Sequence, residues 1–456
     1  MYKKKKIIRS GLFAMFCSSI FLAANAQFSM SGQFRLRTEF RDGQGAPLPE
    51  GTNPAFFISQ RTRLNIGYQM YRLKLGFSIQ DIRVWGQDVS TINRTTIANN
   101  NGLMLYEAWA EILLTDTSLK NKSLSLKIGR QELVYDDQRL IGNLDWLQQG
   151  RRFDAAVLKY ESGLWKIHLA GAYNQNQENS SGTIYNPTPP GNYTASTNGG
   201  TMYKSLEFLY AGKKLNTGNI SFLFFSDQFS KYNSDTLDNV ISKTYQSSTW
   251  SRETTGFYLN NTFHKIGITA SAYYQFGKSS SGQSLSAGLL SGFVQFLFNE
   301  KTSAGGGIDF TSGGTTGSTS NNFDPLYGTP HKFWGFMDYY YAASPFGKGG
   351  LTDYYVKFKR ILSDKSLLTI DFHQFSSAAK VLVSSIPVNN KSFGQELDFV
   401  YSYNLTKEIS FEAGYGHYWS TALLTSANVK NVPNTNSNSN WAYIMINIHP
   451  DFLFKK

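Results

Sequence analysis

Apolar and polar residues alternate with a period of two along much of the chain. Between residues 32 and 42, Phe34 and Phe40 fall on one face, whereas Arg35 and Arg37 fall on the other. Alternation of this kind is typical of a β-strand with one apolar and one polar face. The opening region therefore predicts strands, not helices.

The same pattern predicts eighteen strands over the whole chain. Most of them have 10 to 14 residues, whereas strands of soluble proteins usually have about five or six. A tilted strand needs roughly nine to eleven residues to cross a bilayer. The predicted strands lie near 32–42, 61–68, 72–80, 103–114, 122–135, 151–161, 164–174, 203–212, 219–229, 253–262, 265–277, 286–298, 301–311, 351–360, 367–376, 391–404, 408–419 and 441–450.

Short turns alternate with long loops that are rich in Asn, Ser, Thr and Gly. Eight short turns and nine long loops place both ends of the strand series on the short-turn side. This is the layout of an outer-membrane barrel with periplasmic turns and extracellular loops. The long loops are predicted at 43–55, 86–102, 136–150, 175–202, 230–252, 278–285, 312–350, 377–390 and 420–440.

The fold class follows from the properties of lipid. Strands can span a membrane only as a closed barrel, because every backbone group needs a partner within the protein. We therefore expect an all-β, transmembrane, antiparallel up-and-down barrel of about 18 strands, wide enough for an aqueous lumen. The 27 Tyr and 34 Phe are expected on the outer face. Acidic and basic residues such as Glu107, Lys166, Asp371 and Glu396 are expected to face inward.

The N-terminus has the features of a secretory signal peptide. Lysines at positions 3 to 6 precede an apolar run of 14 residues, and Ala24-Asn25-Ala26 forms an A-x-A cleavage site. We expect residues 1–26 to be removed and 27–456 to form one barrel domain. Cleavage removes Cys17 and five basic residues, leaving 39 basic against 32 acidic residues. A large hydrogen-bonded framework must then provide the stability that disulfides give other exported proteins.

Arginine is concentrated at one end of the sequence. Twelve of the fourteen arginines after residue 26 lie between 27 and 160. Adjacent strands of a meander are neighbours in space, so these residues predict one arginine-rich wall. Guanidinium groups bind carboxylates with two parallel hydrogen bonds, which suggests a path for anions. The candidate path residues are Arg35, Arg37, Arg61, Arg63, Arg72, Arg130, Arg139, Arg151 and Arg152.

A structural alternative remains open, in which the arginines pair with carboxylates across the lumen, namely Glu39, Glu107, Glu111, Glu132 and Asp154. Around residues 128–154, a change in the alternation further suggests a β-bulge that turns Arg130 into the lumen. This charge-rich stretch is expected to fold inward as a gate. Its candidate supporting residues are Glu132, Asp136, Asp145, Trp146 and Asp154.

The loop at 312–350 contains an unusually aromatic stretch, Asn321 to Gly350. We expect it to fold into the mouth of the barrel and narrow it; a compact cap on the outer rim is the alternative. Its candidate constriction residues are Asp324, His331, Lys332, Trp334 and Asp338.

Enzyme and cofactor motifs are absent from the sequence. It has no G-x-S-x-G, no H-E-x-x-H and no phosphate-binding loop, and its few scattered histidines argue against a metal site. Asp371 and His373 are the nearest candidates for catalysis and are better explained as lumen residues. We expect no enzyme activity, no cofactor and no nucleic-acid partner.

The stretch GRQELVYDDQRLIGNLDW, followed by GRRFD, resembles the alginate export family of outer-membrane proteins. QDIRVWGQD at 80–88 and HKFWGFMDYYY at 331–341 also look like members of that family. The family's motif positions are matched here by Gly129, Arg130, Gln131, Tyr135, Arg139, Ile141, Gly142, Asp145, Trp146, Arg151, Phe153 and Asp154. This chain departs from the usual outer-membrane ending, because two lysines follow its last aromatic residue.

The resemblance implies an 18-stranded barrel with an arginine-lined conduit for a polyuronate. The leading hypothesis is a passive channel for an anionic polysaccharide in the outer membrane of a Gram-negative bacterium. The alternatives are a porin that takes up small anionic solutes or oligosaccharides and, more remotely, a surface adhesin or a barrel-borne enzyme. Expected partners are the anionic polysaccharide or oligosaccharide, membrane lipid and lipopolysaccharide. A periplasmic secretion scaffold is a further candidate.

Overall fold

The computed structural model describes residues 27–86, 101–174, 203–237, 240–340, 349–383, 386–387 and 390–452. The predicted signal peptide lies outside these residues. Eighteen long strands occur in the described part of the chain. They are β1 (Gln27–Asp42), β2 (Ala55–Met70), β3 (Leu73–Val84), β4 (Asn101–Leu113), β5 (Lys122–Gln131), β6 (Phe153–Ser162), β7 (Trp165–Tyr173), β8 (Ser205–Lys214), β9 (Asn219–Leu237), β10 (Val240–Phe263), β11 (Ile266–Lys278), β12 (Ser284–Asn299), β13 (Thr302–Thr311), β14 (Leu351–Ser363), β15 (Ser366–Ser376), β16 (Ser392–Asn404), β17 (Ile409–Ser420) and β18 (Asn438–Ile448).

Each strand pairs with the next in antiparallel register, and the last strand returns to the first. Nine residue pairs join β1 to β18, from Phe34 opposite Ile448 to Asp42 opposite Asn440. The sheet is therefore a closed barrel, as the sequence predicted. Closure leaves no sheet edge exposed to lipid.

The two faces of the barrel separate as the alternation predicted. On β1, Arg35 and Arg37 point into the lumen and are buried, whereas Phe34 and Phe40 are exposed on the outside. Aromatic and aliphatic side chains cover the outer face of other strands too, Tyr401 of β16 among them. The exposed outer band thus matches the hydrocarbon core of a membrane.

Several strands are longer than predicted. The clearest case is the predicted loop 230–252, whose described residues 230–237 and 240–252 continue β9 and β10 as a paired ribbon, from Thr249 opposite Ser230 to Val240 opposite Leu237. Both faces of this ribbon carry Ser, Thr, Asn and Lys, because both faces meet water above the membrane. The prediction was wrong since it depended on an apolar face that such a ribbon does not need.

The helical content of the described residues is small. It consists of a 3₁₀ turn at Pro330–Lys332 and a short helix at Ala422–Thr425. Neither has the length and apolar character that crossing a membrane as a helix requires.

Candidate functional site

Two long loops fold into the barrel and cross its lumen. The first inner loop (132–152) connects β5 to β6, and the second inner loop is the described part (312–340) of the β13–β14 connection. Ile141 of the first loop and Tyr327 of the second, both almost fully buried, form a parallel bridge. Both loops were expected to fold inward, and the structure places them there.

The two inner loops are joined through their backbones. The N–H of Tyr327 donates to the carbonyl of Leu140 at 2.9 Å, and the N–H of Gly142 donates to the carbonyl of Tyr327 at 2.9 Å. Gly328 permits this close approach, because a Cβ there would lie 2.0 Å from the carbonyl oxygen of Arg139. The loops therefore form one connected layer across the lumen.

The arginine wall consists of Arg35, Arg37, Arg41, Arg61 and Arg63 on the lumen faces of β1 and β2. Cross-strand register places Arg35 opposite Arg61. Asp145 of the first inner loop forms ion pairs with both, at 3.3 Å to Arg35 and 2.9 Å to Arg61. Gln148 accepts a hydrogen bond from Arg35 Nε at 3.0 Å and donates one to Ser59 at 3.0 Å. This wall thus holds the first inner loop.

Trp146 lies between the arginine wall and the second inner loop. Its ring stacks on the imidazole of His331, with centroids 4.1 Å apart and an interplanar angle of 9°. The guanidinium of Arg37 lies 4.2 Å from the ring centroid and donates to the Trp146 carbonyl at 2.8 Å. Both faces of Trp146 are therefore in contact with protein groups, and the stack connects the two inner loops to β1.

The first inner loop also contacts strands far from the arginine wall. Asp136 accepts hydrogen bonds from Tyr210 at 2.9 Å and Ser221 at 2.7 Å, and burial raises its pKa to about 6. Arg139 is buried in an ion pair with Asp309 of β13. Burial lowers the pKa of Arg139, but the nearby carboxylates outweigh this and raise it. These contacts extend the loop from β8 across to β13.

Arg151 is fully buried and donates to the carbonyl of Gly328 at 2.6 Å and to that of Tyr327. Its guanidinium therefore serves the contact between the inner loops. Arg152 lies with its guanidinium 5.6 Å from the ring of Tyr106. Arg151 thus contacts the second inner loop, whereas Arg152 contacts β4.

A bulge exists near the first inner loop, but in a different strand from the one predicted. The register of β3 and β4 shifts between Ser78 and Ile79, which leaves Tyr106 as the extra residue. The Tyr106 hydroxyl donates to Glu132 at 2.6 Å, and the Arg63 guanidinium lies 3.7 Å from its ring centroid. Burial raises the pKa of Glu132. This bulge thus places an aromatic ring between Arg63 and the loop.

The second inner loop is held on the β9–β10 side by a buried ion pair. Arg252 of β10 bonds Asp227 of β9 at 3.0 and 2.6 Å, and reaches Asp324 of the loop at 2.7 Å. The hydroxyl of Tyr327 donates to Asp227 at 2.7 Å. Asp324 therefore anchors the loop to the lumen wall formed by β9 and β10, which lie outside the arginine-rich segment of the sequence.

On the other side, the second inner loop is held by lumen carboxylates of β16. The N–H of Met337 donates to Glu396 at 2.8 Å, and that of Phe336 donates to Asp398 at 3.3 Å. These two carboxylates belong to an acidic wall on β13 to β16. Its members are Asp309, Asp353, Asp371, Glu396 and Asp398, all buried.

The remaining constriction candidates differ in exposure. Trp334 is buried in the loop layer, and Asp338 bonds the imidazole of His331 at 2.9 Å. The side chain of Lys332 is exposed overall, but partial desolvation of its ammonium group lowers its pKa, and the charges of Asp137 and Asp145 partly oppose this shift. Lys332 therefore lies close enough to these two carboxylates to interact with them electrostatically.

Arg130 and Asp154 do not face the lumen. The ladder between β5 and β6 runs in regular register through Arg130 opposite Asp154, and the two side chains form a bidentate pair at 2.9 and 2.8 Å. They share a face with Ile128, which is exposed on the outside. The predicted bulge at Arg130 was wrong. Lys127, Gly129 and Gln131 all lie on the lumen face of β5, and the alternation changes only at Glu132, beyond the end of the strand.

Arg72 lies in the turn between β2 and β3, at the short-turn end of the barrel and away from the inner loops. The predicted arginine cluster is therefore split. Arg35, Arg37, Arg61, Arg63, Arg139, Arg151 and Arg152 gather around the inner loops, whereas Arg72 and Arg130 do not.

The alternative of simple pairing between arginines and the named carboxylates holds only in part. Glu39 pairs with Arg37 and Arg41, both at 2.8 Å. Asp154 pairs with Arg130, but on the outer face. Glu111 pairs with Lys159 instead, Glu107 accepts a backbone N–H from Glu132, and Glu132 accepts a hydrogen bond from Tyr106. Residues that the sequence reasoning missed are Gln148, Tyr106, Asp227 and Arg252. Only Arg252 gave a signal, as one of two arginines after residue 160.

The residues considered for catalysis do not pair with each other. His373 bonds Asp353 at 2.8 Å, whereas Asp371 bonds Lys357 at 2.6 Å. Within the described residues there is no group of three or more His, Cys, Asp or Glu that could hold a metal ion. These side chains form part of the lumen wall.

Residues 26–180 match the model of the alginate export family. The motif from Gly129 to Asp154 lies within the match, which confirms the resemblance there. The similar segment at 331–341 lies beyond it. No curated protein sequence matches the chain.

Solved structures of low sequence identity share the fold. The crystal structure of Pseudomonas aeruginosa OccK3 (OpdO) has a TM-score of 0.58 at 10% identity, covering 94% of this chain and 96% of that one. Acinetobacter baumannii OccAB1 has a TM-score of 0.59 at 10% identity, with coverage of 93% and 97%. A BenF-like porin from Pseudomonas fluorescens Pf-5 has a TM-score of 0.58 at 9% identity, with coverage of 93% and 99%. Together with the family match, the closed barrel identifies an outer-membrane channel of a Gram-negative bacterium.

Proposed function

We propose that this channel passively exports an anionic polysaccharide along the arginine wall of its lumen. The charge balance of that wall supports the proposal. Four of its five guanidinium groups are paired with two carboxylates, Glu39 and Asp145. Arg63 bonds only the neutral Gln80 and has no carboxylate within 4.0 Å among the described residues. Because guanidinium groups stay protonated, the wall keeps a surplus of positive charge.

Asp145 occupies the position that a sugar carboxylate would take. Its side chain is 46% exposed and receives two guanidinium groups, which is the arrangement that a uronate carboxylate would find favourable. A polyuronate therefore competes with Asp145 for Arg35 and Arg61. Exchange detaches this part of the first inner loop from the wall and opens a path beside it.

A porin for small anionic solutes or oligosaccharides is the second candidate. The observation that favours it is the crossing of the lumen by both inner loops. If the loops stay in place, only small solutes can pass between them. The two candidates therefore differ in the length of the anion that the channel transmits.

The test uses the purified full chain in planar bilayers and in liposomes. We expect anion selectivity from the reversal potential in a KCl gradient, and transient current block by both short and long oligouronates but not by neutral oligosaccharides. Release of long labelled oligouronates from liposomes supports export, whereas release of trimers alone supports the porin. Cation selectivity, or equal block by neutral oligosaccharides, would overturn both candidates.

A matched pair of variants separates lumen charge from total charge. Arg63→Gln removes a lumen-facing guanidinium, and Arg130→Gln removes one on the outer face. We expect Arg63→Gln to reduce anion selectivity and Arg130→Gln to leave it unchanged. Equal effects of the two variants would contradict a role of the arginine wall.

A further inference from the structure

A separate polar cavity lies at the short-turn end of the lumen, away from the inner loops. Its volume is about 380 Å³, and it is lined by lumen-facing side chains of β2 to β6 and of the turn between β2 and β3. The lining residues that carry the argument are Tyr71, Arg72, Lys74, Glu111, Lys159 and Glu161. Short turns of an outer-membrane barrel face the periplasm, so this mouth cavity opens toward the periplasm.

The carboxylates of the mouth cavity are already paired with bases. Glu111 bonds Lys159 at 3.2 Å and accepts a hydrogen bond from Ser125 at 2.8 Å. Glu161 lies 3.7 Å from the ammonium group of Lys166. The acidic groups of the cavity therefore form their ion pairs with Lys159 and Lys166.

Two cations of the mouth cavity remain without such a partner. Neither Arg72 nor Lys74 has a carboxylate within 4.0 Å among the residues that the structure describes. Lys74 lies opposite Glu111 in the ladder, but that carboxylate is bound to Lys159. The Nε of Arg72 is buried and has no hydrogen-bond partner. This nitrogen is enclosed by protein, so an anion in the cavity would accept hydrogen bonds from the terminal nitrogens of Arg72 and from the ammonium group of Lys74.

An aromatic ring completes the cavity at its rim. Tyr71 is 74% exposed, and its ring centroid lies 5.5 Å from the guanidinium carbon of Arg72. An exposed ring beside two cations and two carboxylates offers a sugar acid each contact that it needs. The ring can cover the pyranose face, the cations can bind the carboxylate, and the carboxylates can accept hydrogen bonds from hydroxyl groups.

We propose that the mouth cavity binds an acidic sugar residue of the exported polymer, with its carboxylate on Arg72 and Lys74. This inference rests on the proposed function, because it names the place where a polyuronate first contacts the channel. Its volume lies in the lower part of the range of about 300 to 1,000 Å³ for small-molecule sites. The site is distinct from the arginine wall.

The first test counts binding sites by titration calorimetry with a uronic acid trimer on the full-length barrel. We expect the double variant Arg72→Gln and Lys74→Gln to lose one site, or to bind there about tenfold or more weakly, since each lost charged hydrogen bond weakens binding by roughly that factor. The control is the double variant Lys265→Gln and Lys301→Gln, which removes two exposed lysines from other short turns. Heat-modifiable migration on gels checks that each barrel is folded. Unchanged stoichiometry and affinity in the first variant, or equal binding of a neutral glucan trimer, would overturn the proposal.

The second test uses the sidedness of block in planar bilayers. We expect trimer added on the short-turn side to block the wild-type channel at lower concentration than it blocks the double variant. Block from the opposite side should be the same in both. If the channel is anion-selective but the trimer blocks wild type and the double variant equally from each side, the mouth site alone is overturned. Absence of anion selectivity and of uronate block in every variant overturns the proposed function instead.

Discussion

Asp145→Asn tests the contact that holds the first inner loop on the arginine wall. The variant keeps the size of the side chain and removes the charge that Arg35 and Arg61 share at 3.3 and 2.9 Å. Gln148 and the loop carbonyls still accept hydrogen bonds from Arg35. We therefore expect a weakened anchor and not an unfolded barrel.

The size of the effect follows from the exposure of Asp145. Hydrogen bonds to charged groups contribute about 1.5–3 kcal/mol when buried, and exposed ion pairs contribute about 0–1 kcal/mol. Asp145 is 46% exposed and its partners are buried, so we expect a loss of about 1–2 kcal/mol. This corresponds to an increase of roughly 5- to 30-fold in the equilibrium constant for release of the loop. The variant also adds one positive charge to the surplus on the wall.

Single-channel recording in a KCl gradient measures both consequences. We expect Asp145→Asn to increase the permeability of chloride relative to potassium and to increase current fluctuations. Asp154→Asn is the matched control, because it makes the same change in the same segment on the outer face of the barrel. Wild-type selectivity and noise in Asp145→Asn, or the same shift in both variants, would refute the anchoring role of Asp145.

Three further predictions concern the loops and their supports. Burial raises the pKa of Asp136 to about 6, above the value near 3.8 of a free aspartate, so the inserted first loop takes up a proton as the pH falls through 6. Insertion should be more stable at pH 5 than at pH 7, so channels should open less often at pH 5. Asp136→Asn should reduce this pH dependence, and Glu132 should account for what remains. A pH profile equal to that of the wild type in Asp136→Asn would contradict the assignment. Arg252→Met leaves the fully buried Asp227 without its guanidinium partner, so we expect urea unfolding to show a free energy of unfolding lower by about 3–5 kcal/mol. Arg360 is exposed, and Arg360→Met should change this free energy by about 0.5 kcal/mol or less. Equal losses in the two variants would argue against the importance of the buried pair. Gly328→Ala places a Cβ 2.0 Å from the Arg139 carbonyl, so the two inner loops should separate and become more sensitive to proteolysis. The control is Gly317→Ala, whose Cβ would meet no atom within 4 Å; despite the positive φ of Gly317, it should leave that sensitivity nearly unchanged. Protection equal to wild type in Gly328→Ala would show that the backbone contact is dispensable.

The strands could be predicted because lipid imposes a simple rule on them. One face must be apolar where it meets hydrocarbon, so Phe34 and Phe40 alternate with Arg35 and Arg37, and eighteen strands emerge from the pattern. The rule does not apply above the membrane. The ribbon formed by 230–237 and 240–252 has no regular apolar face, and its sequence therefore resembles that of a loop.

The inner loops could be predicted to fold inward, but their contacts could not. The charges and aromatic residues of 128–154 indicate burial in a polar lumen. Some of the charges have partners on strands more than a hundred residues away, such as Arg35 for Asp145 or Asp309 for Arg139. The error at Arg130 was local: the apparent change of phase falls at Glu132, after β5 has ended.

The walls formed by β1 and β2 and by β13 to β16 hold the inner loops with groups of opposite charge, and we expect this difference to decide where a polyanion can displace a loop contact. The first loop presents a carboxylate, Asp145, to guanidinium groups of β1 and β2. A uronate can replace that carboxylate with a similar one. At β16 the second loop instead donates backbone N–H groups to Glu396 and Asp398, and a uronate carboxylate, which only accepts hydrogen bonds, cannot replace these contacts. Asp324 of the second loop also meets a guanidinium, but that of Arg252 is already paired with the buried Asp227. The proposed export path therefore lies on the side of β1 and β2.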